Sequence, residues 1–325
     1  MPIDIIGGSG FIATRLVERL LKHKQLKVKI IDKIASKTFP ELFILGDVRS
    51  IDNLRASISQ NSVIVNLAAE HRDDVYPVSL YDEVNVTGAE NVCKVANEKG
   101  VKTIIFTSSV AVYGFSLFTL DESSAINFSS DYGRTKWEAE QIYKKWYAVD
   151  PESRTLVIVR PTVVFGESNR GNVFNLLRQI ATGKFVMIGD GLNRKSMAYV
   201  ENVAAFLEHA LTYSPGIHIY NYIDKPDFSM RELVGHVNRI LGRSYKIKLR
   251  LPYTVGIMIG KIFDVTAKLL SCKFSISAIR VKKFCANSVF ESSINKTGFV
   301  PPVNLMDAIE KTVRYEFIEE HKNQQ

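Results

Sequence analysis

The sequence has few cysteines, no metal-binding histidine motif and no long apolar run. Its three cysteines, Cys93, Cys272 and Cys285, are widely spaced, which indicates a reducing compartment and no disulfide framework. The six histidines lack the HExxH or any paired spacing, so we expect no metal. An uncharged apolar run of about 18 residues is missing, so a membrane-spanning helix is not expected. An apolar stretch follows Met1 directly, so we expect no signal peptide and a cytoplasmic location.

Acidic residues are also scarce in one part of the chain. The 325 residues are 46% hydrophobic and 23% charged, which is typical of a soluble globular protein. Between Arg239 and Cys285, however, eleven Lys/Arg residues accompany one acid, Asp264. This asymmetry indicates an anionic partner. Nucleic acid is not expected, because no recognised binding motif accompanies the charge.

A glycine-rich loop follows the first apolar stretch. Residues 3–6 are typical of a buried strand and precede the pattern G-x-x-G-x-x-A of Gly7, Gly10 and Ala13. Such a loop lets a pyrophosphate approach the amides at a helix N-terminus. A second strand ends at Asp32, whose carboxylate is placed to bind a ribose 2′-hydroxyl and to disfavour NADP. The pattern predicts an NAD site.

Strand-like and helix-like segments alternate through the first half of the chain. They predict a Rossmann-type doubly wound parallel sheet in residues 1–165 and a smaller substrate-binding region in residues 166–325, with a strand near 218–223 returning to the sheet. Cofactor contacts are expected where the strands end. These candidates are Lys33, Asp47, Val48, Ala68, Ala69, Thr107 and Pro161. Asp47 has an equally good interpretation as a helix N-cap.

A possible catalytic set follows the strand that ends at Thr107. A helix-like segment begins near Asp131, and Tyr132 and Lys136 are spaced to share one helical face. A tyrosine pKa must fall by roughly 3 units for the phenol to act as a base near neutrality. A neighbouring cation and an oxidised nicotinamide both favour that change. Ser109 could hold the oxygen whose proton Tyr132 takes, so the set predicts oxidation of a carbinol.

Together with Asn85-Val86-x-Gly88 and Val112-Tyr113-Gly114, these motifs resemble the extended short-chain dehydrogenases/reductases, the NAD-dependent epimerase/dehydratase family, over essentially the whole chain. The resemblance implies that Tyr132 is the general base and acid, that Lys136 contacts the ribose and that Ser109 contacts the sugar O4. It implies that Asn85 positions Lys136 through water, and that helices 80–98 and 132–147 form a homodimer. The implied NAD contacts are Gly7, Gly10, Phe11, Ile12, Asp32, Asp47, Val48, Ala68 and Ala69.

Three departures narrow the implied activity. Val110-Ala111 follow Ser109 where sugar-nucleotide dehydratases carry Asp-Glu, so elimination of water is not expected. Residues 160–163 lack the asparagine of nucleotide-sugar epimerases, and Lys195-Ser196 replaces their Arg-Asp. Both changes disfavour a uridine diphosphate carrier, although Lys195 keeps a cation for a phosphate. The other candidates near the sugar are His71, Arg72 and the segment from Asn169 to Asn172, each with an equally good interpretation as a polar loop residue.

The segments LAAEHRDDV, RPTVVFGESNRGNV and KSMAYV resemble the bacterial 4-epimerases of O-antigen synthesis that act on undecaprenyl-diphosphate-linked N-acetylglucosamine. The resemblance implies interconversion with N-acetylgalactosamine through a transient 4-keto sugar. One alternative is a 4-epimerase of UDP-glucose or UDP-N-acetylglucosamine; another is an NAD-dependent lipid or sterol alcohol dehydrogenase. A non-catalytic NAD-sensing scaffold is disfavoured, because the Ser/Tyr/Lys set is intact.

The basic segment 246–285 contains an apolar helical pattern. Its polar residues fall on one narrow stripe of the helix: Thr254, Lys261, Asp264, Lys268 and Ser271. A buried core helix would have a similar pattern. The neighbouring cations instead favour an anionic membrane surface, at about 1 kcal/mol each. We therefore expect a peripheral protein on the inner face of the bacterial inner membrane.

Overall fold

The computed structural model describes residues 1–72, 75–116, 118–244, 249–270 and 277–319, without the side chains of 267–270. The strands are β1 (Pro2–Ile6), β2 (Lys27–Asp32), β3 (Phe43–Leu45), β4 (Val63–Asn66), β5 (Thr103–Thr107), β6 (Thr155–Pro161), β7 (Val163–Phe165), β8 (Met187–Ile188), β9 (Arg194–Tyr199), β10 (Gly216–Tyr222), β11 (Asp224–Ser229) and β12 (Arg250–Leu251). The helices are α1 (Phe11–Leu20), α2 (Ile51–Ser57), α3 (Gly88–Glu98), α4 (Asp131–Ala148), α5 (Asn172–Ala181), α6 (Val200–His209), α7 (Met230–Ile240), α8 (Tyr253–Leu270), α9 (Ala278–Cys285) and α10 (Leu305–Arg314).

The main sheet is parallel and has the spatial order β10-β6-β5-β4-β1-β2-β3. The chain moves outward from β1 to β3 and then returns to place β4 on the other side of β1. This reversal creates a crevice beyond the ends of β1 and β4, where open α/β sheets bind ligands. The predicted doubly wound fold is confirmed.

Alternating side chains along the strands build two apolar layers, one on each face of the sheet. Ile3 and Ile5 of β1 pack with residues of α1 and α6. Ile104 and Phe106 of β5 face the other way and pack with residues of α3 and α4. All seven residues of β6 are buried, as expected for a strand covered on both faces. The layers fix the strand ends that carry the site.

A third apolar cluster lies mainly beyond residue 165. It joins residues of α5, α7 and α10, and includes Phe165, Leu177, Leu233 and Ile309. Two small sheets, β11-β9-β7 and β12-β8, accompany it. The strand expected near 218–223 is β10, which pairs with β6 from Gly216 onward. The domain division at residue 165 remains a prediction.

Helix α8 packs against α9, where Asp264 Oδ2 accepts a hydrogen bond from the Ala278 amide at 3.1 Å. Met258, Ile262 and Val265 are instead exposed. The interpretation of this helix as buried core is therefore wrong, and Asp264 faces α9. Residues 246–248 and 271–276, with Lys246, Lys248, Ser271, Cys272 and Lys273, lie outside the described residues, as does the side chain of Lys268. In the described part of the chain, every helix is too short or too polar to cross a bilayer.

Candidate active site

The glycine loop lies in the crevice between β1 and β4. Gly7 has a φ of +75°, and a Cβ built on it would lie 2.5 Å from the Ala68 backbone nitrogen. A side chain is therefore excluded both by conformation and by space. Gly10 precedes α1 and provides no side-chain cap, so amides at the start of the helix, from Phe11 and Ile12 onward, are available to an anion.

Asp32 closes over this loop from the end of β2. Its carboxylate accepts hydrogen bonds of 3.1 Å from the amides of Ser9 and Ile34. At the end of β5, the buried Thr107 Oγ1 has no hydrogen-bond partner among the described residues. A buried hydroxyl without a partner is costly unless a ligand supplies one. The open loop, the carboxylate and this hydroxyl fit a bound dinucleotide.

A further cofactor candidate, Asp47, follows β3. Asp47 is not the cap of α2, because Ser50 accepts the capping bond from the Asn53 amide; the N-cap interpretation is wrong. The Asp47 carboxylate is instead held by the Arg49 guanidinium, whose hydrogen bond lowers its pKa. The Lys33 charge lowers this pKa further.

The remaining cofactor candidates lie at the same edge of the sheet. Val48 is buried and packs against Gly88. Ala68 and Ala69 follow β4, and the Ala68 amide donates to Asn66 Oδ1 at 3.0 Å. Pro161 is buried at the end of β6. Their shared position is a consequence of parallel strands, whose carboxyl ends meet at one edge.

The side chains of Ser109 and Tyr132 are close enough for Ser109 to influence the pKa of the Tyr132 phenol. Ser109 follows β5 and caps a 3₁₀ turn of residues Val110–Tyr113, while Tyr132 lies in the first turn of α4. Gly133 allows the two elements to touch, because a Cβ there would lie 2.4 Å from the Ala111 carbonyl oxygen. Burial raises the pKa of Tyr132, and the neighbouring Ser109 hydroxyl opposes that rise.

Lys136 is 1% exposed, and its Nζ lies 4.3 Å from the centroid of the Phe106 ring. None of the ion pairs among the described residues includes it. Burial lowers the pKa of this ammonium to about 7, although the Glu140 charge opposes the change. Burial, Ser109 and Tyr81 are the causes of the Tyr132 pKa shift in the protein alone, and the lowering of this pKa by Lys136 beside an oxidised nicotinamide remains a prediction. A buried ammonium that forms no ion pair suits hydroxyl groups of a ligand.

Asn85 connects the loop after β4 to the catalytic helix. It lies in a π-helical turn, Asp82–Thr87, a feature frequent at functional sites. Its amide donates to Thr135 Oγ1 at 3.0 Å and to the Glu70 carbonyl at 3.1 Å. Thr135 precedes Lys136, so Asn85 fixes the turn of α4 that carries the lysine.

A buried ionic network that the sequence patterns did not predict lies beneath the site. Arg160 of β6 forms two hydrogen bonds to Glu140 of α4, at 2.8 and 2.6 Å, and both side chains are almost fully buried. Ser108 donates to the same carboxylate, and Arg160 donates to the Tyr113 hydroxyl. The available signal was Arg160 itself, because an arginine in a buried strand needs a buried acid.

The substrate candidates occupy several elements. His71 is exposed beyond β4, Asn172 is exposed at the start of α5, and Asn169 donates to the Val164 carbonyl. Lys195 of β9 is partly buried, and its ammonium donates to the Lys283 carbonyl at 2.9 Å. No hydrogen bond given for the described residues joins His71, Asn172 or Lys195 to Ser109 or Tyr132.

A family model, the NAD dependent epimerase/dehydratase family, matches residues 3–222. The chain belongs to this family. It is 44% identical over 98% of its length to an Escherichia coli O157:H7 protein, N-acetyl-alpha-D-glucosaminyl-diphospho-ditrans,octacis-undecaprenol 4-epimerase, covering 96% of that protein. It is 29% identical to the UDP-glucose 4-epimerase of Vibrio cholerae, over 81% of this chain and 83% of that protein. The fold matches UDP-glucuronic acid 4-epimerase from Bacillus cereus, solved with NAD, with a TM-score of 0.73 at 21% identity, covering 97% and 98% of the chains.

For this epimerase/dehydratase family member, the family and the dependence on NAD predicted from the sequence are confirmed. The chain is an enzyme of the NAD-dependent epimerase class. The glycine loop after β1, the Asp32 carboxylate at the end of β2 and the Thr107 hydroxyl at the end of β5 fit that cofactor. The roles of the individual site residues remain predictions.

Proposed function

We propose that this enzyme interconverts N-acetylglucosamine and N-acetylgalactosamine at C4 while the sugar is linked to undecaprenyl diphosphate. The observation that carries the chemistry is the proximity of the Ser109 and Tyr132 side chains, with the buried Lys136 one turn further along α4. The lipid carrier is supported by 44% identity over nearly the whole chain to the Escherichia coli enzyme. We assign the product to O-antigen or other surface polysaccharide synthesis.

The side chains divide the acid–base work. Ser109 holds O4 of the sugar, and Tyr132 accepts the proton of that hydroxyl and later returns it. Lys136 binds the ribose, and the oxidised nicotinamide would supply the positive charge that favours the phenolate. NAD held at the ends of β1, β2 and β5 would supply a reversible hydride acceptor for C4 of the sugar, so that no net oxidation would occur. The transient 4-keto sugar must present both faces to the cofactor before its O4 is protonated again.

Elimination of water is disfavoured by the residues that follow Ser109. The 3₁₀ turn there begins with Val110 and Ala111, neither of which transfers protons. Loss of water from a 4-keto sugar needs an acid and a base at the neighbouring carbons. The turn therefore supports an epimerase over a dehydratase within the family.

The carrier is tested by two parallel assays. The purified enzyme is incubated with N-acetylglucosamine on undecaprenyl diphosphate, and separately with UDP-N-acetylglucosamine. The sugar released by acid is then analysed for N-acetylgalactosamine. We expect conversion of the lipid-linked sugar; conversion confined to the uridine-linked sugar would favour the alternative supported by the Vibrio cholerae relative. Stoichiometric release of NADH would identify an alcohol dehydrogenase.

We also propose that the enzyme is peripheral on the inner face of the inner membrane. The exposed Met258, Ile262 and Val265 of α8 form an apolar stripe, to which we give the name α8 stripe. Lys261, Arg280 and Lys282 are exposed on α8 and α9, and such cations favour anionic lipid. A homodimer through the helices near 80–98 and 132–147 is a further proposal, which sedimentation of the purified enzyme tests.

A further inference from the structure

A cavity of about 220 Å³ lies at the far end of the 3₁₀ turn that Ser109 begins. Gly114, which follows the turn, belongs to its wall, together with Lys195 and Lys283. A 3₁₀ turn rises roughly 2 Å per residue, so this wall is about 10 Å from Ser109. The C1 substituent of a hexose bound with O4 at Ser109 needs a site beyond the sugar ring, and this cavity is a candidate for that site. We call this space the two-lysine cavity.

The two lysines give the cavity positive charge without a matching acid. Lys195 donates to a backbone carbonyl at 2.9 Å, and Lys283 Nζ lies 5.2 Å from the centroid of the Phe115 ring. The cavity lining contains no Asp or Glu, and no ion pair given for the described residues includes either lysine. Burial lowers the pKa of Lys195 to about 8, so an anion in the cavity would favour its charged form.

The rim of the cavity is apolar and exposed. Phe115 and Phe118 also line it, and they are 54% and 82% exposed. Large exposed aromatic side chains beside a cavity indicate contact with an apolar ligand or surface. The opposite wall is held to the rim segment by hydrogen bonds between Leu120 and the backbone of Val289 and Glu291. The lysines at the base of the cavity and the phenylalanines at its rim therefore belong to segments that are hydrogen-bonded to each other.

We propose that the two-lysine cavity binds the diphosphate of a polyprenyl-diphosphate sugar, with Lys195 and Lys283 on the phosphoryl oxygens and Phe115 and Phe118 on the first isoprene units. This inference rests on the proposed function and names how its carrier is recognised. Two cations suit a doubly charged diphosphate. The phenyl rings suit the chain that follows it, which a nucleoside diphosphate does not possess.

Direct binding of farnesyl diphosphate, measured by calorimetry on the NAD-loaded enzyme, tests the cavity without turnover. We expect Lys195→Met and Lys283→Met each to weaken this binding about tenfold, as loss of a charge-assisted hydrogen bond requires. Lys282→Met is the matched control, because Lys282 is exposed on the same helix and does not line the cavity. Its affinity should equal that of the unaltered enzyme.

Inorganic pyrophosphate tests binding of the diphosphate without the isoprene chain, and UDP tests binding of a diphosphate that carries a nucleoside instead. Phe118→Ser should weaken farnesyl diphosphate several-fold and leave pyrophosphate unchanged. Equal farnesyl diphosphate affinity in the Lys195→Met/Lys283→Met double variant would overturn the proposal, and so would UDP binding more tightly than farnesyl diphosphate. These outcomes concern binding alone. Failure of the proposed function would appear separately, as absent epimerisation of the lipid-linked sugar by an enzyme that still binds farnesyl diphosphate.

Discussion

At Tyr132 and Lys136 burial acts on two groups of opposite charge type. It raises the pKa of the phenol and lowers that of the ammonium to about 7, because it disfavours the charged form in each case. Near pH 8 and without cofactor, both side chains are mostly neutral. The phenolate needed for catalysis therefore requires positive charge from outside the protein, which an oxidised nicotinamide provides.

Replacing Tyr132 with phenylalanine removes the proton acceptor and leaves the ring in place. We expect turnover to fall by about 10²–10⁴-fold, the usual contribution of a general acid–base group. NAD binding should persist, because the cofactor contacts at the ends of β1, β2 and β5 are unchanged. Tyr147→Phe on the same helix is the control and should keep normal turnover. Full activity in Tyr132→Phe, measured with bound NAD verified, would contradict the assigned role.

Lys136 should make stability depend on pH in a specific direction. Its folded pKa of about 7 lies below the unfolded value of about 10.4. Between these values only the unfolded state binds the proton, so stability rises with pH across this window. Below pH 7 the folded state carries a penalty of up to about 4 kcal/mol. Lys136→Met should remove it.

Urea unfolding of the NAD-free protein at several pH values measures this effect. Lys136→Met should be more stable than the unaltered protein at pH 6, and its advantage should shrink by about 1.4 kcal/mol per pH unit above pH 7. Lys94→Met, on the exposed surface of α3, controls for loss of a positive charge. A stability difference independent of pH would show that Lys136 is not held in this environment.

Among the elements, the turn from β1 to α1 carries the most restrictive geometry. Gly7→Ala should lose NAD affinity by at least tenfold, because its Cβ collides with the Ala68 backbone beside the cofactor crevice. Gly298 is a matched control: its φ is +76°, against +75° for Gly7, and a Cβ there meets no atom within 4 Å. Both variants should pay about 1–2 kcal/mol for the left-handed backbone. Thermal unfolding measures the stability of the Gly7→Ala and Gly298→Ala variants, and NAD titration measures their affinity for the cofactor. Equal NAD affinity in the two variants would contradict the assignment of the Gly7 loop to the cofactor crevice.

The sequence predicted those elements that depend on local residue patterns. Gly7 and Gly10, the buried β strands and the spacing of Tyr132 and Lys136 each depend on short-range rules. The Arg160–Glu140 pair depends on packing α4 against β6, which no local pattern encodes. The orientation of α8 was also out of reach, because Asp264 turns toward α9 only once the two helices pack.

Across the whole molecule, positive charge and exposed apolar surface occur together on α8 and α9. The α8 stripe lies beside exposed cations, a combination typical of helices that lie in the headgroup region of a bilayer. The two-lysine cavity contains Lys283 of α9. The proposed membrane contact and the proposed diphosphate site therefore share helix α9.

This arrangement predicts binding to vesicles that contain anionic lipid. Met258→Ser/Ile262→Ser should weaken vesicle binding about tenfold or more, since each side chain contributes up to about 1.5–3 kcal/mol on full burial. Val149→Ser/Val300→Ser is the control, because those residues are 70% and 79% exposed elsewhere. Raising the salt concentration should weaken binding of the unaltered protein, since the cations act through screened charge. Co-sedimentation measures all three proteins, and equal loss in the stripe and control variants would show that α8 has no special contact with lipid.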